Sequence, residues 1–436
     1  MMRALPLALV LLAAPAAAQA PAPAPAPRVL GLDEALRIGL ARQPQLRQAQ
    51  ANVEAARGRV DQALAPLLPQ VSGTASWERD TSSATRVFTA GLPGAAASAT
   101  TRDLYSLGLS GRLLLWDFGQ TTGRWRATQA LATGQEDSER ASRVAVALGI
   151  RTTYFNAVAA KALVGVAGES LANQQRHLEQ IRGFVEVGTR PQIDLAQART
   201  DVANAQVQLI QAENSYATTR VQVEQAIGVT DLGPWETADE SLSPVPGEEA
   251  APGTLLAEAL GSRPELAALS EQLRGQQLTV GALQGGYLPS LGVSAGVTEA
   301  GSAPDDLSSG WNTAVTLSWP LFQGGATRGQ VREARANATA IDAQLEQLRQ
   351  SVRLEVEQAR LGVRAAQATL GASGEAAEAA RERLTLAEGR YQTGVGSIIE
   401  LADAQLALTT ALGQQVQAKF QLAVARSQLL KALGRP

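Results

Sequence analysis

Residues 291–297 read LGVSAGV, and residues 311–319 read WNTAVTLSW. In the first run Leu291, Val293, Ala295 and Val297 alternate with Gly292, Ser294 and Gly296. In the second, Trp311, Thr313, Val315, Leu317 and Trp319 alternate with Asn312, Ala314, Thr316 and Ser318. Successive side chains of a strand point to opposite faces, so a period of two predicts β-strands with one apolar and one small or polar face. The pattern also occurs upstream. Tyr105, Leu107, Leu109, Leu113 and Leu115 alternate with Ser106, Gly108, Ser110 and Arg112, and Val71, Ala75 and Trp77 alternate with Ser72, Thr74 and Ser76. Strands of this kind suit a barrel wall with lipid outside and water inside, and Trp77, Trp116, Trp311 and Trp319 fall at the ends of the runs, where such a wall carries its aromatic girdle. Four strands cannot close around water, because about eight already leave an interior filled by side chains. The chain is therefore expected to share strand edges with copies of itself.

The strands belong to a plan written twice. Leu40–Leu46 (LARQPQL) matches Leu260–Leu266 (LGSRPEL), with Pro44 on Pro264, and Leu68-Pro69-Gln70 matches Leu288-Pro289-Ser290. Trp116-Asp117-Phe118 then matches Pro320-Leu321-Phe322, and Gly188 with Ile193-Asp194-Leu195-Ala196 matches Gly394 with Ile399-Glu400-Leu401-Ala402. Each repeat reads as helix, strand, loop, strand, very long helix, tight break, long helix. Helix one is expected from near Leu32 to just before Pro66, and its counterpart from Thr254 to Gly285. The first repeat carries the longer insertion, Glu78 to Asp103.

Long helices follow the strands. No proline occurs from Thr121 to Val187 or from Thr327 to Thr393. At about 1.5 Å per residue each stretch approaches ~100 Å, a length that needs lateral packing throughout. Leu195, Ala198, Val202, Ala205, Leu209, Ala212 and Tyr216 keep an alternating spacing of three and four. Leu401, Ala404, Leu408 and Ala411 do the same after the second break, and Ile341, Leu345, Leu348, Val352 and Val356 before it. These are heptad seams with alternating large and small knobs. The fold class is thus mainly α with a small β part, in a duplicated helix-strand-strand-helix-helix repeat.

Composition narrows the chemistry. The 436 residues include no cysteine and a single histidine, His177. Disulfides, zinc–thiolate sites and a cysteine nucleophile are excluded. His177 lies in a Gln/Arg-rich helical stretch with no Ser or Asp motif beside it, and is expected to be a solvated surface residue. A formal net charge of −3 argues against nucleic acid as a partner. No nucleophile-elbow, zincin or paired-carboxylate motif sits in a plausible context, so no enzyme, catalytic residue, cofactor or metal is expected. Residues 1–18 have the plan of a secretory signal peptide, with Arg3, an apolar run and Ala16-Ala17-Ala18. Residues 19–30 form a Pro/Ala-rich tether, and 228–253, rich in Pro, Gly and acids, a linker expected to run as a surface excursion. Repeat one then spans 31–227, with strands about 70–77 and 104–116, and repeat two 254–436, with strands about 290–297 and 311–320.

Four further motifs carry a resemblance: Leu32-Asp33-Glu34-Ala35-Leu36 with Pro44; Leu67-Leu68-Pro69-Gln70; Trp319-Pro320-Leu321-Phe322-Gln323-Gly324-Gly325; and Tyr391 to Gln405 (YQTGVGSIIELADAQ). In this order, duplicated over nearly the whole chain, they resemble the TolC family of outer-membrane efflux and secretion channels. The resemblance implies a homotrimer in which a twelve-stranded β-barrel in outer-membrane lipid continues into a coiled-coil α-helical periplasmic barrel. It implies a passive conduit from periplasm to exterior, working with a periplasmic adaptor (membrane fusion protein) and an inner-membrane pump, in efflux or type I secretion. It places Gly188 and Gly394 at the periplasmic hairpin tips, where glycine permits a left-handed turn. It assigns Glu400 and Asp403 to an acidic periplasmic gate, and links Asp194 to Tyr391 in a latch whose arginine position is Gly396 here. Arg190 or Arg390 could take that place. Asp194, Ser397 and Glu400 equally suit the start of the returning helices. A periplasmic coiled-coil adaptor or scaffold would share the hairpins without lipid-facing strands.

Overall fold

The computed structural model describes residues 28–82, 100–230 and 232–436. Residues 1–18, most of the tether and 83–99 of the insertion lie outside the described residues. Most of the fold is helical, with a four-stranded sheet at one end. Among the described residues no helix is long and apolar enough to cross a membrane.

Each repeat opens with two helices where the sequence suggested one: α1 (Leu32–Arg42) and α2 (Pro44–Leu64), then α5 (Pro252–Ser262) and α6 (Pro264–Gly285). The prolines cause the break. A proline ring excludes the helical region for the residue before it, and Gln43 (ψ 124°) and Arg263 (ψ 120°) are both extended. Each proline then starts the next helix, where its missing N–H costs nothing.

The strands β2 (Gln70–Ser82), β3 (Thr100–Trp116), β5 (Ser290–Gly301) and β6 (Ser308–Ser318) form one antiparallel sheet in the order β2-β3-β5-β6. They run further than the alternation suggested, so Trp77 and Trp311 lie inside strands rather than at their ends. Register keeps the faces apart. Ala75 stands opposite Leu107, Leu109 opposite Val297, and Val297 opposite Trp311, giving one apolar face. Ser72 and Ser110, and Ser76 and Ser106, pair through their hydroxyls at 2.9 and 2.8 Å on the other. Among the described residues nothing covers the apolar face: Trp311 is 81% exposed, and Val71, Leu109 and Val315 are exposed beside it. Among the described residues β2 and β6 each have one strand neighbour, so both edges of the sheet are open.

The long helices are α3 (Gln120–Glu186) and α7 (Ala326–Gln392), each of 67 residues, about 100 Å. Both start from two successive left-handed residues, Phe118-Gly119 and Gly324-Gly325. The structural equivalent of Phe118 is therefore Gly324, not Phe322 as the matching aromatics suggested. A side chain is strained at this position, and the second repeat avoids the strain with glycine. The returning helices are α4 (Gln192–Ile227) and α8 (Ile398–Ala432). α3 packs on α4, α7 on α8, and α3 on α8, so the two hairpins stand side by side. Leu195, Ala198, Val202, Ala205, Leu209, Ala212 and Tyr216 are all buried or half-buried in the α3–α4 seam.

The segments on either side of the first repeat differ from expectation. β1 (Arg28–Leu30), counted with the tether, pairs in parallel with β4 (Trp235–Thr237), counted with the linker. Leu30 and Trp235 are each 1% exposed, and the Tyr154 hydroxyl donates to the Leu30 carbonyl at 3.0 Å. Further along, Glu248 is buried. Its carboxylate accepts two bonds from Arg426, at 3.0 and 3.1 Å, and one each from Gln367 and the Val245 amide. The linker is a strap laid into the helical body, because Trp235 and Val245 bring apolar surface worth burying.

Candidate functional site

The hairpin tips form the candidate site. At the first, Gly188 (φ 79°) ends α3 in the left-handed region, and the Thr189 amide returns to the Phe184 carbonyl at 2.9 Å. At the second, Gly394 (φ 82°) ends α7, and the Val395 and Gly396 amides return to the Arg390 carbonyl at 3.0 and 2.8 Å. Six-residue loops of this kind satisfy the last helical carbonyls and need a residue without a Cβ at the turn. α8 is capped by Ser397, whose hydroxyl accepts the Glu400 amide at 3.2 Å. α4 begins after Pro191 without a side-chain cap.

Asp194 is not a cap. It is 6% exposed and turned towards the other hairpin, where the Tyr391 hydroxyl donates to its Oδ2 at 3.2 Å. Arg190 completes this group. Its guanidinium carbon lies 4.4 Å from the centre of the Tyr391 ring, and its Nη2 donates to the Tyr391 carbonyl at 2.8 Å. Phe184 meets the same ring edge-on at 6.4 Å. Burial, and then the neighbouring Asp194 carboxylate, push the Tyr391 hydroxyl up to about 12. Ile181, Ala198, Leu384, Ala387, Leu401 and Ala404 pack below as one apolar cluster that spans both hairpins. The tips are thus held to each other by a packed core and a polar clasp.

Gly396, where the resemblance looks for an arginine, lies against Arg390. A Cβ there would fall 2.9 Å from the Tyr391 nitrogen and 3.1 Å from the Arg390 Cβ. Arg390 occupies the adjacent space instead, with its Nε 3.3 Å from Glu400 Oε1. Glu400 and Asp403, expected together on one face, lean to different flanks of α8. Glu400 lines a groove against α7, and Asp403 a groove against α3 and α4.

His177 differs from expectation. Its side chain is 13% exposed, and its Nε2 lies 3.2 Å from Glu388 Oε1 on α7. The stretch around it is polar, but the neighbouring hairpin covers this one residue. Among the described residues no cluster of three or more His, Cys, Asp or Glu could hold a metal ion.

The profile of a family described as "Outer membrane efflux protein" matches residues 36–229 and 255–435. The probable efflux pump outer membrane protein TtgC of Pseudomonas putida is 25% identical over 418 residues, covering 92% of this chain and 82% of that protein. The outer membrane protein TolC of Escherichia coli is 26% identical over 415 residues, covering 90% of this chain and 79% of its own length. Among solved structures, CusC has a TM-score of 0.80 at 20% identity, covering 96% of each chain. The outer membrane protein VceC from Vibrio cholerae has a TM-score of 0.79 at 20% identity, covering 93% of this chain and 96% of that one. These last two likenesses concern the fold.

Proposed function

We propose, from the premise that this chain belongs to the outer membrane efflux protein family, that three copies form an outer-membrane channel. The channel is the outer component of a tripartite efflux pump or type I secretion system, and carries its cargo passively from periplasm to exterior. One observation supports this above the others: a four-stranded sheet with an uncovered apolar face and two open edges leads into helices about 100 Å long. Apolar surface of that extent, left in water, costs on the order of 25 cal/mol per Å², so it belongs against lipid. Joining β2 of one copy to β6 of the next closes twelve strands and leaves no edge, as hydrocarbon requires.

The helices support the same closure. α4 and α7 form the outer flanks of the four-helix layer, and each carries a second, exposed heptad stripe. On α4 it comprises Ala203, Val207, Ile210, Ala217 and Val221, and on α7 Leu354, Leu361, Ala365, Ala368 and Ala372. A seam between α4 of one copy and α7 of the next would bury both stripes and complete a ring. In this reading the tips form the narrow periplasmic entrance. Tyr391, Asp194 and Arg190 hold it shut, Glu400 and Asp403 give it charge, and Gly188 and Gly394 mark the rim that faces a periplasmic adaptor and an inner-membrane pump. The relatives are named as channels and pump components, and the function is conduction rather than catalysis. A soluble coiled-coil scaffold would need its apolar sheet face covered, and no described segment covers it.

The test is to purify the mature protein and weigh it in detergent and without. The expected result is a detergent-dependent trimer that conducts ions in planar bilayers. A monodisperse, detergent-free particle without conductance would overturn the reading.

A further inference from the structure

The polar face of the sheet carries a single charged side chain over the half nearer the helices. Arg112 stands two residues along β3 from Ser110, so it leaves the strand on the face where the serine hydroxyls pair. Gln70 is opposite it on β2 and Ser294 on β5. The first acid on that face is Glu78, about 27 Å along β2 from Gln70 at about 3.4 Å per residue. Gln70, Ser294 and Thr316 line a niche of about 380 Å³ with Arg112, and no carboxylate enters it. Among the described residues the Arg112 side chain has no hydrogen-bond or ion-pair partner. The helices continue the sign. α3 and α7 start beside the sheet with no acid in their first turns. Arg124 and Arg126, and Arg328 and Arg332, stand in their first two turns instead. Free amides at a helix start favour negative charge, so local helix stability does not account for these arginines.

We infer that Arg112 makes the junction of barrel and tunnel an anion-binding ring, which takes the phosphate, sulfonate or carboxylate groups of passing solutes into the niche beside Gln70 and Ser294. The inference rests on the proposal that three copies close one barrel with this face inside. Twelve strands spaced about 4.8 Å apart and tilted about 40° put the wall roughly 12 Å from the axis. An arginine reaching inward from that wall comes within the screening length of about 8 Å of a solute on the axis. Register puts the three copies of Arg112 at one height, so their fields add where the solute crosses. The planar guanidinium meets two oxygens of an oxyanion at once, and the Gln70 amide and the Ser294 and Thr316 hydroxyls supply further donors. Rings of cationic side chains select anions in pores by this combination of field and donors.

The experiment uses purified full-length protein in planar bilayers, with tripolyphosphate added on the side of the barrel. The readout is the concentration that halves the conductance. Arg112→Gln is expected to raise it several-fold. Arg112→Lys, which keeps the charge and loses the planar fork, should fall between Arg112→Gln and the parent. Ser294→Asp leaves Arg112 in place and sets a carboxylate opposite it, and should weaken the block as Arg112→Gln does. Arg102→Gln removes a cation that already faces Asp80 across the strands, and should block like the parent. If Arg112→Gln and Ser294→Asp both conduct and block at the parent's concentration, this inference is overturned and the channel reading stands. If the parent forms no conducting trimer, the channel reading falls and takes this inference with it.

Discussion

At position 391 a phenol sits where two hairpins meet, held by an acid from one side and a guanidinium from the other. Tyr391→Phe keeps the ring, its packing on Phe184 and the Arg190 contact, and removes the bond to Asp194. The expected result is a channel that opens more often in planar bilayers with little change in melting temperature; unaltered open probability would argue against a clasp. Its pH response has a definite sign. The folded-state value is raised to about 12 from an ordinary 10.0, so the neutral hydroxyl is the form the fold favours. The contact is complete below pH 10 and is lost as pH rises towards 12. Alkaline opening should therefore appear in that window in the parent and be absent from Tyr391→Phe. Glu248 makes a different case. Removing the carboxylate leaves the Arg426 guanidinium buried without its partner, and Glu248→Ala should cost about 3–5 kcal/mol, read as a lower unfolding midpoint by circular dichroism. Residues on this scale were legible unevenly. The resemblance pointed to Asp194 and Tyr391 as a pair. It could not rank Arg190 against Arg390, because stacking on a ring in the opposite hairpin leaves no local pattern. His177 looked solvated because its neighbours are polar, and the acid that meets it belongs to another helix.

The sequence rendered the elements well where one periodicity ran unbroken. Alternation located all four strands of the sheet, and the proline-free stretches located both 67-residue helices. Two features were misread for identifiable reasons. The apolar period continues through Arg42 to Pro44, so the first helix looked whole although proline stereochemistry divides it. The linker's Pro, Gly and acid content resembled a loop, and the apolar surface of Trp235 and Val245 decided otherwise. Trp235→Ala should lower stability by about 3–5 kcal/mol, because a large buried aromatic leaves a cavity the helices cannot refill. The exposed stripes yield a prediction about association. Ile210→Glu on α4, or Leu361→Glu on α7, places a charge in the proposed seam between copies. Either should shift the detergent-solubilised protein from trimer to monomer on size exclusion with its helical content retained. A trimer unaffected by both would remove the seam.

For the whole molecule, the two-faced sheet was readable from alternation, and the need to share its edges with other copies from the number of strands, while the number of copies was not, since open edges do not count their partners. Tryptophan fluorescence tests the placement. Trp311, on the apolar face, should be quenched by brominated lipid, whereas Trp235, buried where the strap meets the helical body, should not. Equal quenching of both would contradict the orientation of the sheet. The two long helices have one further consequence. Each spans 67 residues from a left-handed start, so both hairpins descend the same distance below the membrane. In the proposed trimer the six turns then finish flush, like legs of a stool cut to one length. Removing seven residues from both arms of one hairpin would lift its foot by about 10 Å and leave a notched seat for whatever docks beneath, whereas trimming all hairpins alike would give a shorter stool that still stands level.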